Sequence, residues 1–321
     1  MSVGSNTTNI LYDISIVEHV KILKQIDSAP NEEKQNIWDK RCAHLRYILE
    51  PYIYNHLQET YGLYLTEFWK TYTPPKVATY AYVLVERRPH PNFWFLLRNM
   101  AWAAPGMSVY IFCSNENEAF IRTLLGNKAD SYNIRRIFNG SPARDEAIQD
   151  FNNTLTDYRI YQQIEAEYII TIQMDCFIRK KLPIPQMFEG DYFGCPWAWK
   201  SDDPGGGGST VRHIPKMIEM CKKYRPNPET TNCPIPEDGW MCEKVKESGG
   251  TWPPLPFRAT LLMETLFVPD PFIIHQMWSF TDTILNKGRD YFCTLYTNML
   301  RFDIPLVAFV NTMAAEEQPQ T

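Results

Sequence analysis

The stretch EAEYIITIQMDCFIRKK, residues 165–181, decides the reading of the fold. An apolar, strand-like run (Tyr168, Ile169, Ile170, Ile172) ends at a single acid, Asp175, and passes directly into Phe177 and Ile178. A carboxylate beside a buried strand is costly unless something pairs with it. In open α/β sheets ligands collect outside the carboxyl ends of the strands, so an acid delivered there is placed to hold a divalent cation against a phosphate. The competing reading is plain: an Asp after a strand also forms turns and caps helices.

Upstream of this stretch, strands and helices alternate. VATYAYVLVE (77–86) and MSVYIFCS (107–114) read as strands, as does a segment around 131–138, with helices around 91–103 and 116–125 and from about 145. The alternation predicts an α/β fold with a mainly parallel sheet covered on both faces, and it puts Asp175 after the fourth strand. Thr154 to Asp157 reads as a capping box for a helix carrying Tyr158, Tyr161 and Ile164. Earlier still, Ile14, Val17, Val20, Ile22 and Leu23, then Trp38, Cys42, Leu45, Ile48 and Leu49, follow helical spacing, and Tyr72-Thr73-Pro74-Pro75 ends it. The chain therefore divides into a helical N-terminal region (1–75), an α/β domain (76–285) and a C-terminal extension (286–321).

Composition narrows the function classes. The chain has 321 residues, of which 44% are hydrophobic and 21% charged, which is ordinary for a globular protein with a real core. A net charge of -5 argues against a nucleic-acid partner held by phosphate neutralisation. The short basic runs Arg87-Arg88, Arg135-Arg136 and Arg179-Lys180-Lys181 read as solvated faces. Eight scattered cysteines without a CxxC pair read as reduced thiols. The start MSVGSNTTNILYDISIVEHVK has no apolar signal core, and runs such as IPLVAFV (304–310) are far shorter than the roughly 20 residues of a membrane span. A soluble, cytoplasmic protein is expected, with the helical N-terminus as the candidate surface for a homo-oligomer. The 14% aromatic content suits sites that bind rings or sugar faces, though aromatics also fill cores.

Four features follow Asp175: GDYFGCPW (190–197), GGGGSTVR (205–212), PEDGW (236–240) and PFIIHQMW (271–278). The glycine run is either a flexible loop or a place where backbone comes close to a ligand. Glu237-Asp238 open a helix, where acids suit the helix dipole; an acid beside an aromatic also suits removal of a proton from a sugar hydroxyl. His275 is either a satisfied, half-buried histidine or an imidazole ligand for a divalent metal.

Taken in order, the helix before the strand, EAEYIITIQMDCFI, GDYFGCPW, the Gly-rich SxR segment, PED and PFxxH resemble a glycosyltransferase-like family found in bacteria, eukaryotes and large DNA viruses. The likeness covers about residues 76–280. It implies a GT-A fold, in which a DxD-type motif holds Mn or Mg on the diphosphate of a nucleotide sugar such as a UDP-sugar. By that resemblance Asp175, after Gln173, and His275 are the metal ligands. Asp238 is the base of an inverting transfer to a hydroxyl of a glycan or small acceptor, with Glu237 as neighbour or substitute. Val85, Glu86 and Arg87 seat the base and ribose, and Gly206, Gly207 and Ser209 lie beside donor and acceptor. Two departures stand out: GGGG replaces the family's GNGG, and QMDC lacks a second acid. A nucleotidyltransferase and a non-catalytic carbohydrate-binding or scaffold protein are the competing classes. The first normally carries a Gly-rich loop after its first strand, where this chain reads VLVERRPHPN.

Overall fold

The apolar runs form strands because nothing in them is polar enough to need water. In the computed structural model, which describes residues 4–140, 144–278, 285 and 287–304, β1 (Tyr80–Val85), β2 (Ser108–Ser114) and β4 (Tyr168–Ile172) are almost wholly buried. Such continuous burial marks strands covered on both faces. They belong to a six-stranded sheet of order β3-β2-β1-β4-β7-β6, with β3 (Asn133–Phe138), β6 (Tyr192–Cys195) and β7 (Gly206–His213). The first four are parallel, β7 runs antiparallel to β4, and β6 antiparallel to β7. The fold is thus α/β with a largely parallel, mixed central sheet flanked by helices, as the alternation predicts. Arg135 and Arg136 lie exposed on the edge strand β3, where charge discourages further pairing.

Side-chain alternation feeds two cores. Tyr82 and Leu84 face one, shared with α2 (Asn31–Thr71) and α3 (Phe93–Ala103); Ala81 and Val83 face the other, shared with α7 (Ile214–Tyr224) and α8 (Glu237–Glu247). The N-terminal region is helical, as α1 (Gly4–Ser28) and α2, and α2 stops at Thr71 just before the proline pair. The change of composition at residue 75 is not a change of core, however. Leu49, Ile53, Leu57 and Leu65 of α2 pack in the same cluster as Tyr82, Phe177 and Ile274.

Other expectations need correction. Thr154 lies inside α5 (Arg144–Leu155); the next short helix, α6 (Tyr158–Tyr161), is capped by Asp157, whose carboxylate accepts the Arg159 N–H at 2.8 Å. In two of the basic runs the first arginine is buried and not part of a solvated face. Arg179 is buried and donates to the carbonyls of Asn298 (2.7 Å), Pro271 (3.1 Å) and Arg301 (3.2 Å), fastening the segment after α10 (Arg289–Met299). Arg87 is buried against Phe138. The seven cysteines whose side chains are described are free thiols; Cys42 falls outside that set. Among the described residues no helix is long and apolar enough to cross a membrane. Most of IPLVAFV and the end of the C-terminal extension, residues 305–321, lie outside the described residues.

Candidate functional site

The chain builds β1, β2 and β3 outward in one direction and then returns to place β4 on the other side of β1. The order therefore reverses between β1 and β4, and a crevice opens at their carboxyl ends. A cavity of about 810 Å³ lies there. Its lining runs from Val85, Glu86, Arg87 and Arg88 on one side to Gln173, Met174 and Asp175 on the other, with Phe138, Ile148 and Phe151 as an apolar wall and Tyr47 and Glu50 of α2 closing it.

Asp175 sits where the chain changes sheets. Gln173 still bonds to the main sheet, its N–H donating to the Gly208 carbonyl at 2.9 Å, and the Cys176 N–H closes a turn onto the Gln173 carbonyl at 3.1 Å. The turn predicted for an Asp at this place is therefore real, but it serves to redirect the chain. β5 (Cys176–Ile178) joins a second, three-stranded sheet with β9 (Ile273–His275) and β8 (Leu262–Met263). Register in this small sheet explains the site. Cys176 lies opposite His275 in the antiparallel pair, and Met263 lies opposite Ile274 in the parallel one, so the next residues, Glu264 and His275, come side by side. Gln276 then takes a left-handed φ of 46°, turning the chain away.

The result is a buried cluster. His275 Nε2 lies 3.2 Å from Asp175 Oδ1, and its Nδ1 lies 3.3 Å from Glu264 Oε2. His275 and Asp175 are about 2% and 1% exposed, so these charges have little water to share. The Gly208 N–H also points at Nδ1, at 3.0 Å. Nδ1 cannot serve both neighbours: Gly208 requires a lone pair there, Glu264 a proton. Glu264 Oε2 accepts no hydrogen bond from the described residues in this geometry, but its charge favours a proton on Nδ1, which a charge-assisted bond would then hold. Nε2 then faces Asp175 and needs either a second proton or a cation between them. Burial alone would lower the imidazole pKa, but Asp175 and Glu264 overcome it and push the pKa up to about 10. Cys176 stands within 4.8 Å of both Asp175 and His275, but burial, reinforced by Asp175, pushes its thiol well above the ordinary range and keeps it protonated.

Of the glycine run only Gly205 lies in a loop; the other three begin a strand. Residues 206–208 open β7 and thread between Asp238, Glu264 and His275. A Cβ on Gly206 would come within 2.5 Å of Asp238 Cβ and 2.6 Å of Trp197 Cζ2. On Gly207 it would strike the Glu264 carboxylate, and on Gly208 the His275 ring. Glycine is required here because side chains of other elements occupy the space a Cβ would take. The Gly207 N–H donates to Asp238 Oδ2 at 3.0 Å, so one short strand links Asp238 on one side to His275 and Glu264 on the other.

The remaining sequence candidates separate. Glu237, next to Asp238 in the first turn of α8, points into the core: its carboxylate accepts from Arg212 Nη2 at 2.9 Å, and both side chains are at most 5% exposed. Arg212 also donates to the Tyr161 hydroxyl (2.7 Å) and Thr210 Oγ1 (2.8 Å). Glu237 is therefore a structural partner and no substitute for Asp238. Glu86 accepts the N–H groups of Arg87 and Arg88, each at 2.8 Å, so it shapes the loop after β1. Arg87 turns away to Asp150 and the Gly140 carbonyl. Ser209 is fully buried opposite Ile172 and does not line the cavity; nor do Gly206 and Gly207, which stand behind Asp238 and the histidine. Two residues escaped sequence reasoning. Arg88 lines the cavity and is held by Glu86 at 2.9 Å while its side chain stays 60% exposed. Glu264 ends a strand of two residues, too short to show a period; the only sequence signal is LLME, an apolar run stopped by an acid, as in ITIQMD.

Residues 138–264 match a family described as a protein of unknown function (DUF5672). The matched span begins at the end of β3 and contains Asp175, Gly206 to Gly208, Asp238 and Glu264. No curated protein matches the chain.

Proposed function

We propose that this chain is a metal-dependent glycosyltransferase of GT-A architecture, moving a monosaccharide from a nucleoside-diphosphate sugar to a hydroxyl of a glycan or small acceptor with inversion. One observation carries the reading: the cavity at the crossover of β1 and β4 ends at Asp175, the same carboxylate that faces His275 in the buried cluster. A pocket for a nucleotide and a demand for positive charge thus meet at one residue.

The donor set fits a divalent ion. Asp175 and His275 are the residues to hold it, with Glu264 fixing the ring through its other nitrogen, the usual second partner of a metal-bound histidine. Mn or Mg held by these residues would supply positive charge for a departing diphosphate. Arg88 adds a cation on the opposite side of the cavity. Its guanidinium is kept firmly charged by the hydrogen bonds to Glu86, and the charges of Glu50 and Asp175 act in the same direction.

Asp238 carries the proton. Its Oδ2 is oriented by the Gly207 N–H and its Oδ1 by the Gly239 N–H at 2.8 Å. It accepts the acceptor's hydroxyl proton as the oxygen bonds to the anomeric carbon, while the bond from that carbon to the diphosphate breaks on the opposite face. Inversion follows from that arrangement.

The test is incubation with a panel of nucleotide sugars and Mn, scoring diphosphate release. Slow, metal-dependent hydrolysis of one sugar donor supports the reading, and Asp175→Ala then abolishes Mn-dependent donor binding by calorimetry. Unchanged titration of Asp175→Ala removes that residue from the metal site. Pyrophosphate release from a nucleoside triphosphate would replace the transferase by a nucleotidyltransferase.

A further inference from the structure

Trp199 is the most exposed large apolar side chain among the described residues, at 67%. Single exposed apolar side chains are common and mean little. This one is not single: it stacks on Trp197 with ring centroids 6.1 Å apart and planes within 6° of parallel. Trp197 in turn packs over Gly206, on the same Cα that Asp238 approaches. The turn carrying Trp199 is also fixed to the site, because the Ala198 N–H donates at 3.2 Å to Thr265 Oγ1, one residue beyond Glu264. Trp197 and Lys200 close the turn through a bridge, the Lys200 N–H donating to the Trp197 carbonyl at 3.2 Å.

We infer that Trp197 and Trp199 form the acceptor platform, and that the acceptor is a neutral oligosaccharide. Building on the transferase reading, this assigns the substrate class. A pyranose ring has an apolar face of C–H groups and a rim of hydroxyls. A flat, exposed indole takes the face and leaves the rim in water. Trp197 lies between Trp199 and Gly206, so the free outer face of Trp199 carries the sugar while Trp197 holds that platform beside Asp238 and lets a terminal hydroxyl reach the base. Lys200 and Asp202 are exposed on the same turn and Asp203 pairs with Lys246, so the surface around the indoles carries both signs with no excess of either, which suits an uncharged saccharide.

Saturation-transfer NMR on the full chain with neutral di- to tetrasaccharides of glucose, mannose, xylose and N-acetylglucosamine, without donor or metal, tests this. One series is expected to bind; Trp199→Ala weakens it about tenfold, whereas Trp199→Tyr restores it, with the melting temperature unchanged. Binding insensitive to Trp199→Ala, binding of none of the saccharides, or attachment to neutral phosphatidylcholine vesicles that Trp199→Ala abolishes would each overturn the platform. The two readings fail separately. Trp199-dependent saccharide binding without hydrolysis of any sugar donor keeps the platform and removes the transferase. Donor hydrolysis with Trp199-independent binding removes the platform alone.

Discussion

Glu237 and Asp238 are adjacent acids in one helical turn, and a rotation of about 100° between successive helical residues gives them opposite fates. Glu237 turns into the core to meet Arg212; Asp238 turns to the glycine strand. Substitutions should separate them. Asp238→Asn keeps the Gly207 contact region filled but cannot take a proton, so kcat for transfer should fall by a factor of about 10² to 10⁴ with donor affinity and melting temperature nearly unchanged. Parallel loss of donor binding, measured by calorimetry, would reassign Asp238 to binding. Arg212→Met leaves Glu237 buried without its cation. Burial already pushes that carboxyl up, and Arg212 is what holds it back. Breaking such a pair costs about 3–5 kcal/mol, so the melting temperature should drop by on the order of 10 °C. A melting curve like that of the unaltered chain would show the pair to be dispensable. The acidic pair was visible in PEDGW, but not the division of labour, because neither helical phase nor the distant Arg212 can be read from adjacent letters.

At the scale of elements, β6 and β7, broken by glycine, gave no recognisable run, while β1, β2 and β4 were legible as apolar runs and β3 from its place in the alternation. The second sheet was not, since β5, β8 and β9 have three, two and three residues and no period to recognise. Yet this small sheet places Asp175, Glu264 and His275 together. The glycines of β7 were visible as letters and left open between a loop and a close approach of backbone, because only the folded neighbours show why a Cβ is excluded. Gly208 gives the cleanest test, as its backbone is not left-handed and the atoms nearest to an added Cβ all belong to the His275 ring. Gly208→Ala should leave far-ultraviolet circular dichroism unchanged while weakening Mn binding at least tenfold by displacing that ring. Gly239 is the contrast. A Cβ there meets only Ile235 Cδ1, at 3.7 Å, within helix α8. Gly239→Ala should raise stability by about 0.5–1 kcal/mol, read in urea unfolding. Equal effects of the two alanines would mean that backbone freedom, and not close approach, explains the glycine run.

For the whole molecule, the question is whether residues 1–75 are an appendage. The helical spacing and the proline pair correctly located α2 and its end, but helical periodicity cannot say what a helix packs against. In the fold, α2 closes the cavity with Tyr47 and Glu50 and reaches Met174 through Tyr54, whose hydroxyl lies 3.4 Å from that carbonyl, next to Asp175. It also satisfies Arg98 of α3, which is fully buried. The guanidinium donates to the Gly62 carbonyl and to Gln58 Oε1, both at 2.6 Å, and to the Thr66 hydroxyl. Burial lowers its pKa only to about 10, so it remains charged at neutral pH and needs those partners. A chain beginning at Lys76 would uncover Phe177, against which Tyr54 packs, and strip Arg98 of three acceptors. Losing the packing of Leu45, Leu49, Ile53, Tyr54, Leu57, Tyr61 and Leu65 as well, at about 1.5–3 kcal/mol each, forfeits an amount comparable with the ~5–15 kcal/mol by which a domain is stable, so the shortened chain should lack cooperative thermal unfolding and near-ultraviolet circular dichroism. Adding Arg98→Met to the shortened chain removes the stranded charge without restoring the lost apolar cover, and should not rescue it. A cooperative transition in either shortened chain would show that the α/β region folds alone and that α2 merely leans on the site.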